Sequence, residues 1–165
     1  MNIRIVILLS AAIFLSSCSA STSASKKEKA AADFEQTAAL IESGSFQFII
    51  RSASPSGGRT IQITSPYSLK AKEGIFEAYL PYFGRAYSGG YGDSGGIEFN
   101  GEPKDLELNR NDSKQEISVS FAIQSDKDSY NVKLNVGSSG YGTLVISSQK
   151  RQTITYSGLA GQLKD

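Results

Sequence analysis

A serine with the surroundings of a catalytic nucleophile lies in the run GDSGG, residues 92–96. The same five residues surround the nucleophilic serine of chymotrypsin-like proteases. A serine hydroxyl reacts only when a base takes its proton, and in those proteases the base is a histidine held by a carboxylate. The sequence contains no histidine, and no lysine lies close to Ser94 in the chain. We therefore expect Ser94 to belong to a turn that leads into a strand at 97–100, and not to be catalytic.

Other catalytic and metal-binding patterns are weak. Zinc sites are built mainly from histidine and cysteine, and the sequence has only a single cysteine. Asp126 and Asp128 lie two residues apart in SDKDS, which suggests a calcium loop, but such a polar run is more typical of a hairpin turn. No spacing selects a carboxylate pair for glycoside hydrolysis among Glu77, Asp93, Glu98 and Glu102. We predict no catalytic residue, no metal site and no cofactor.

The most unusual segment of the chain combines glycines with aromatic residues between positions 80 and 96, and we call it the glycine–aromatic segment. Pro81 removes a backbone donor, so the preceding strand should end there. Aromatic side chains on a glycine-rich loop offer a large contact area for sugar rings or apolar ligands. The candidate ligand-binding residues are Tyr82, Phe83, Arg85, Tyr87 and Tyr91.

Two roles remain open for this segment. It can form a recognition surface, or it can be a structural plug in which the rings cover one end of the domain. In the second role the glycines permit positive φ angles and close approach of the backbone. If Arg85 is buried in such a plug it needs a carboxylate partner, which Asp93 or Glu98 could provide.

The N-terminal residues have the form of a bacterial lipoprotein signal. Residues 1–4 form a short n-region made basic by Arg4, and residues 5–15 are an apolar run broken only by Ser10. LSSC at positions 15–18 has the pattern of a signal that ends at a lipid-modified cysteine. The apolar run is too short for a stable membrane span, which needs about 20 residues. We predict a signal peptide at 1–17 and a lipid anchor at Cys18; an ordinary secretory signal that ends near a cysteine is the alternative.

The charge balance and the cysteine count restrict the remaining functions. The chain has 17 Lys and Arg residues against 16 Asp and Glu residues, so it lacks the positive field that nucleic-acid binding needs. With one cysteine it cannot form an internal disulfide. We predict a protein of the bacterial cell envelope that is attached to the membrane through a lipid on Cys18. The absence of an acidic run after Cys18 favours the periplasmic face of the outer membrane.

Between the anchor and the fold the sequence predicts a tether and one helix. Residues 18–26 are mostly small and polar, which is typical of a flexible tether. Alanines and the spacing of Phe34, Ala38 and Ile41 then predict a helix over 27–42, docked by Phe34, Leu40 and Ile41. Gly44 stands where a helix C-cap is expected.

After Gly44 the pattern changes to alternation of apolar and polar residues, which indicates strands. The clearest cases are residues 117–123 and 130–136. Similar runs lie at 46–52, 59–64, 67–71, 75–80, 97–100, 106–109, 141–147 and 153–156. Short connections rich in turn residues favour antiparallel neighbours. We predict one mainly β domain over 27–160, an antiparallel meander that closes into a β-barrel, with a β-sandwich as the alternative.

Two segments carry a resemblance to a known family. LPYFGRAY at 80–87 and the late pattern S-x-x-R-Q-x-I-x-Y-x-G, which ends at Gly158, resemble the family called domain of unknown function 4251 over about residues 30–160. The resemblance implies a small Bacteroidetes-type envelope lipoprotein with a lipocalin-like β-barrel or sandwich, and no assigned activity. Its recurrent positions are Leu80 to Tyr87, Arg151, Gln152, Tyr156 and Gly158.

The sequence therefore predicts a non-catalytic envelope lipoprotein, with two hypotheses for its work. In the first, the barrel binds a small apolar or sugar-like ligand at the end lined by the glycine–aromatic segment. In the second, the protein is a structural or assembly partner of an envelope protein complex. An open pocket at that end favours the first hypothesis, and an end closed by packed side chains counts against it.

Overall fold

A computed structural model of the chain describes residues 21–85, 87 and 95–163. These residues form one helix and ten strands. The elements are α1 (Ser21–Glu42), β1 (Phe46–Pro55), β2 (Ile61–Gln62), β3 (Ser68–Lys72), β4 (Ile75–Leu80), β5 (Ile97–Gly101), β6 (Lys104–Asn111), β7 (Glu116–Gln124), β8 (Ser129–Gly137), β9 (Tyr141–Ser148) and β10 (Ile154–Gly161).

The N-terminal helix is longer than the sequence pattern predicts. It begins at Ser21 instead of residue 27, so most of the predicted tether is helical. Lysine and alanine have a low cost in a helix, and serine is well tolerated at its start, so nothing in 21–26 stops the helix. The predicted end is confirmed, because the Gly44 amide donates to the Ile41 carbonyl at 3.1 Å and Gly44 has a φ of 67°.

The strands form a single curled sheet, a half-barrel, in which all neighbours are antiparallel. Its order is β5-β4-β3-β1-β10-β9-β8-β7-β6, with β2 paired to β1 beside this path. The prediction of a mainly β, antiparallel fold with one N-terminal helix is confirmed. The described strands form one sheet and not the two of the alternative sandwich.

The two edge strands of the half-barrel are consecutive in the chain. Only Glu102 and Pro103 separate the end of β5 from the start of β6, so Gly101 and Lys104 lie within about 11 Å of each other. Because the nine strands alternate in direction, β5 and β6 run the same way. They therefore act as two halves of one kinked strand, which pairs with β4 before the kink and with β7 after it.

Aromatic rings fill the inside of the curl. The Phe76 ring of β4 lies 4.3 Å from the Phe121 ring of β7, and Phe99 of β5 lies 5.9 Å from Tyr130 of β8, between ring centroids. These pairs join strands from opposite halves of the sheet, so the inner face packs against itself. Burial of such rings is a major source of stability.

The helix closes one end of the half-barrel, which we call the helix end. Phe34, Ala38 and Ile41 are buried against the core, and the Thr37 hydroxyl donates to the Ser138 carbonyl in the β8–β9 turn at 3.1 Å. Arg110 at the end of β6 bonds to Glu35 and lies 5.2 Å above the Phe34 ring. The opposite end, the loop end, carries the β4–β5 and β9–β10 connections.

Several predictions from the sequence fall on residues that the structure does not describe. They are the signal peptide at 1–17, the lipid anchor at Cys18, and Ser94, Asp93 and Tyr91 of the glycine–aromatic segment. Within residues 21–85, 87 and 95–163, no helix combines the length and the apolar composition that a membrane-spanning helix needs.

Candidate functional site

The described residues at the two ends of the glycine–aromatic segment pack at the loop end against the connection between β9 and β10. Tyr82 is half-buried there, and its hydroxyl lies 2.8 Å from the Arg85 carbonyl and 2.9 Å from the Gln152 carbonyl. Burial raises the pKa of Tyr82. The Tyr82 hydroxyl thus bonds to a backbone carbonyl within the segment, at Arg85, and to one in the β9–β10 connection, at Gln152.

Arg151 holds the other end of the segment. It is only 5% exposed, and its Nη1 donates to the carbonyls of Gly95 and Gly96 at 2.7 and 3.3 Å. Its guanidinium carbon also lies 5.1 Å from the centre of the Tyr82 ring, a favourable cation–π distance. One buried side chain therefore contacts both ends of the segment.

Gln152 and Tyr156 complete the contact. The Gln152 amide donates to the Arg85 carbonyl at 2.9 Å, and its side chain donates to the Ser56 carbonyl. The Tyr156 hydroxyl donates to the Pro81 carbonyl at 2.8 Å. Tyr156 is fully buried, and this burial raises the pKa of its hydroxyl. These hydrogen bonds join Pro81 and Arg85 of the segment to the β9–β10 connection and to β10.

The predicted ligand-binding residues have different environments. Tyr82 packs as just described, whereas Phe83 is 43% and Tyr87 69% exposed, and Arg85 is also exposed. Tyr91 lies outside the described residues. Phe83 and Arg85 line an open cleft of about 420 Å³ with the turn at 55–58. The geometry thus brings together a ring and a guanidinium at the surface, and the prediction of ligand binding at these residues stays a prediction.

The buried arginine at this end is not the one that the sequence suggested. Arg85 is exposed and does not need the carboxylate partner that its burial would require. Arg151 is buried instead, and it binds backbone carbonyls and an aromatic ring. Which of the two arginines is buried depends on contacts between segments 56 residues apart in the chain. No local sequence pattern encodes such contacts.

Of the acidic residues considered above, those that the structure describes are exposed, except for Asp128. Glu77 and Glu98 stand on neighbouring strands of the outer face, and both are exposed, unlike the desolvated acid of glycosidases. Asp126 is exposed in the β7–β8 turn. Asp128 is buried, and its Oδ1 accepts from the Ser129 amide at 2.8 Å. Its role is that of a turn residue.

Sequence reasoning missed a second surface, on the outer face of β3, β4 and β5. Tyr79 is 59% exposed there, with Ser68 and Glu98 directly beside it on the adjacent strands. Its ring lies 5.8 Å from the Tyr67 ring. A signal was present, because Tyr79 occupies a solvent-facing position in the alternating run of β4.

Depressions lie along this surface, and we call it the outer-face trough. Three depressions of about 1220, 390 and 270 Å³ open along it, and Glu77 lines all of them. The trough is defined by five outward-facing residues, which are Lys70, Glu77, Tyr79, Glu98 and Asn100. The arrangement offers a flat ring beside hydrogen-bond donors and acceptors.

Comparison with known proteins decides the family. The profile of the domain of unknown function DUF4251 matches residues 28–160. The chain belongs to the DUF4251 family. This confirms the resemblance seen in the sequence. No protein among the curated ones matches the chain.

A solved structure of another DUF4251 protein has a similar fold. The crystal structure of a DUF4251 family protein from Bacteroides eggerthii, at 1.95 Å resolution, is 20% identical in sequence, with a TM-score of 0.62. The match covers 80% of this chain and 89% of that one. The two segments that carry the DUF4251 resemblance contact each other at the loop end. In the described residues these contacts are packing contacts.

Proposed function

We propose that the chain is a non-catalytic lipoprotein of the bacterial cell envelope that recognises another envelope component with its outer surface. The observation that supports this is the filled interior. Large side chains such as Phe48, Phe76, Phe121 and Tyr156 are buried within the curl, where a lipocalin-type binder holds its ligand. Recognition is then left to the outer face and the ends.

The sequence of the N-terminus supports the anchor. A lipid-modified Cys18 would stand three residues before Ser21, where α1 begins. Two or more acyl chains give stable attachment, because each buried methylene contributes about 0.8 kcal/mol. We place the protein at the outer membrane with its domain in the periplasm.

Replacement of Cys18 tests the anchor. In cells fed with labelled palmitate, the wild type should carry the label and sediment with membranes. Cys18→Ser should carry none, because serine has no thiol to modify. Membranes are isolated and the label on the purified protein is counted. An unlabelled wild type, or a labelled Cys18→Ser, would contradict the proposal.

Ligand binding at the loop end is the second candidate function. The exposed side chains of Phe83 and Arg85 favour it, since both line the cleft beside the turn at 55–58. A small apolar or sugar-like molecule could lie against the Phe83 ring.

Photo-crosslinking in living cells separates these functions. A photoreactive residue is placed at Tyr79, at Phe83 or at the exposed control Tyr141 on β9. Surface recognition predicts a discrete crosslinked product from Tyr79 or Phe83 and none from Tyr141. No product at any position, together with a small molecule retained by the purified protein in native mass spectrometry, would overturn surface recognition.

A further inference from the structure

The outer-face trough presents an aromatic ring on a rigid support. Tyr79 lies in the middle strand of three, and its backbone neighbours Ser68 and Glu98 belong to ladders on both sides. The Tyr67 ring packs against it at an interplanar angle of 39°. More than half of the Tyr79 side chain nevertheless faces solvent. A ring held in this way loses little conformational freedom when a ligand stacks on it.

Polar and charged side chains surround this ring. Lys70 lies opposite Glu77, and Glu77 lies opposite Asn100, on the adjacent strands. In the part of the chain that the structure describes, the ion pairs within 4.0 Å all involve Arg110. Among the described residues, the ammonium and carboxylate groups of the trough thus form no ion pair and offer donors and acceptors to a ligand.

The shape of the trough suits an extended ligand. From Ile75 to Tyr79 it follows β4 for about 13 Å. At the helix end it widens into the depression of about 1220 Å³, walled by Gln36 and Leu40 of α1. At the loop end its wall is the β7–β8 turn at 124–127. This volume exceeds the range of about 300–1,000 Å³ that is common for small-molecule pockets.

We propose that the outer-face trough binds a carbohydrate chain, a conclusion that rests on the proposed function of surface recognition. The C–H face of one sugar ring stacks on Tyr79. Its hydroxyl groups donate to the carboxylates of Glu77 and Glu98 and accept from Lys70. Further sugar units extend toward the helix end.

The same observations disfavour other ligands. Exposed apolar groups in the trough are few, chiefly Tyr79 and Ile75, whereas the centre of a protein interface is more apolar and poor in charge. It carries charges of both signs, at Lys70, Glu77 and Glu98, which suits neither a strongly acidic nor a strongly basic partner. Hydroxyl-rich chains match both the donors and the acceptors.

Calorimetry with defined oligosaccharides tests the proposal. The mature lipoprotein, in a detergent without a sugar head group, is titrated with chitotetraose, cellotetraose and maltotetraose. At least one should bind, and Tyr79→Ala should weaken its affinity about tenfold or more. Tyr79→Phe keeps the stacking ring and should stay within about threefold of the wild type. Tyr141→Ala, which removes an equally exposed ring from β9, should change nothing.

A second measurement needs no variant. Saturating oligosaccharide should slow acylation of Lys70, which lines the trough, and leave acylation of the exposed Lys133 on β8 unchanged. Equal protection of both lysines, or of neither, would overturn the site.

The remaining outcomes separate this inference from the proposed function. No binding of any tetrasaccharide at about 10 mM overturns the carbohydrate ligand. If Tyr79 then still crosslinks to a protein in cells, surface recognition stands with a protein partner. Loss of binding in Phe83→Ala with full binding in Tyr79→Ala would overturn the trough and assign the sugar to the loop end.

Discussion

Tyr156 reaches from the last strand to the start of the glycine–aromatic segment. Its hydroxyl donates to the Pro81 carbonyl, an acceptor that otherwise would lie beside a buried ring. At the end of the segment, Arg151 likewise donates to the Gly95 carbonyl. At the scale of single residues, the two segments that carry the family resemblance, 80–87 and 148–158, are therefore hydrogen-bonded to each other although they lie far apart in the chain.

Removal of the Tyr156 hydroxyl tests this contact. Tyr156→Phe should lower the free energy of unfolding by about 1 kcal/mol, because the Pro81 carbonyl loses its donor. Urea unfolding at neutral pH measures the change. Tyr141→Phe, at an exposed position, serves as the control and should have no effect; an equal loss in both variants would contradict the assigned role.

The same substitution changes the alkaline limit of stability. Burial raises the pKa of Tyr156 in the folded state, so the unfolded chain releases this proton first, near pH 10. The stabilisation is complete below that pH and is lost as the pH rises toward the folded-state pKa. Tyr156→Phe should therefore lose less stability between about pH 9 and pH 11 than the wild type does.

Arg151 and Tyr79 show which parts of the candidate sites could be predicted from the sequence. The exposure of Tyr79 follows from its place in the alternating run of β4. The burial of Arg151 in place of Arg85 does not, because it results from contacts between segments far apart in the chain.

At the scale of elements, the β1–β10 ladder brings two backbones close together at a glycine. A Cβ built on Gly158 would lie 2.2 Å from the Ile49 carbonyl oxygen. The register of this ladder shifts between Ile50 and Ser52, next to the Gly158 pairing. The glycine thus permits an irregular ladder that a side chain would push apart.

Gly158→Ala should destabilise the fold by about 1–3 kcal/mol, the usual effect of overpacking. Gly161→Ala is the matched control in the same strand, because a Cβ at Gly161 meets nothing within 4 Å, and it should change stability by less than about 0.5 kcal/mol. Thermal unfolding of the two variants compares them directly. Similar melting temperatures would show that the close approach is relaxed at little cost.

Strands and helix differ in how well the sequence predicts them. Alternation predicts β7 and β8 because every second residue is buried, from Ile117 to Ile123 in β7 and from Tyr130 to Val136 in β8. β6 exceeds its predicted range of 106–109, because its pairing with β7 and not its own apolar residues defines it. Leu106 and Leu108 remain 51% and 46% exposed. The start of α1 at Ser21 was not predicted, because the small polar residues before residue 27 suggested a tether but do not prevent a helix.

At the scale of the whole molecule, the two-residue connection between β5 and β6 keeps the curled sheet together. Phe99 on β5 contacts Phe121 on β7 with ring centroids 6.4 Å apart, although these strands lie near opposite edges of the sheet. The short connection holds the edges near each other without a ladder between them.

Insertion of Gly-Gly-Ser-Gly between Glu102 and Pro103 tests this role. The longer connection should lower the free energy of unfolding by about 1 kcal/mol from loop closure, and by more if the edges separate. Hydrogen exchange should rise in β5 and β6. The same insertion between Gly57 and Gly58, in the turn after β1, is the control. Equal losses at the two sites would show that the connection is an ordinary loop.

The position of β1 in the sheet has a consequence for the order in which the protein folds. β1 and β10 are the first and last of the described strands, yet they pair in the middle of the sheet, and the Gln47 side chain donates to the Gln162 carbonyl across 115 residues. Contacts so distant in sequence slow folding. A nascent chain therefore cannot complete its central ladder until residue 161 has been synthesised, and this ladder stays unformed during any transport that precedes this step.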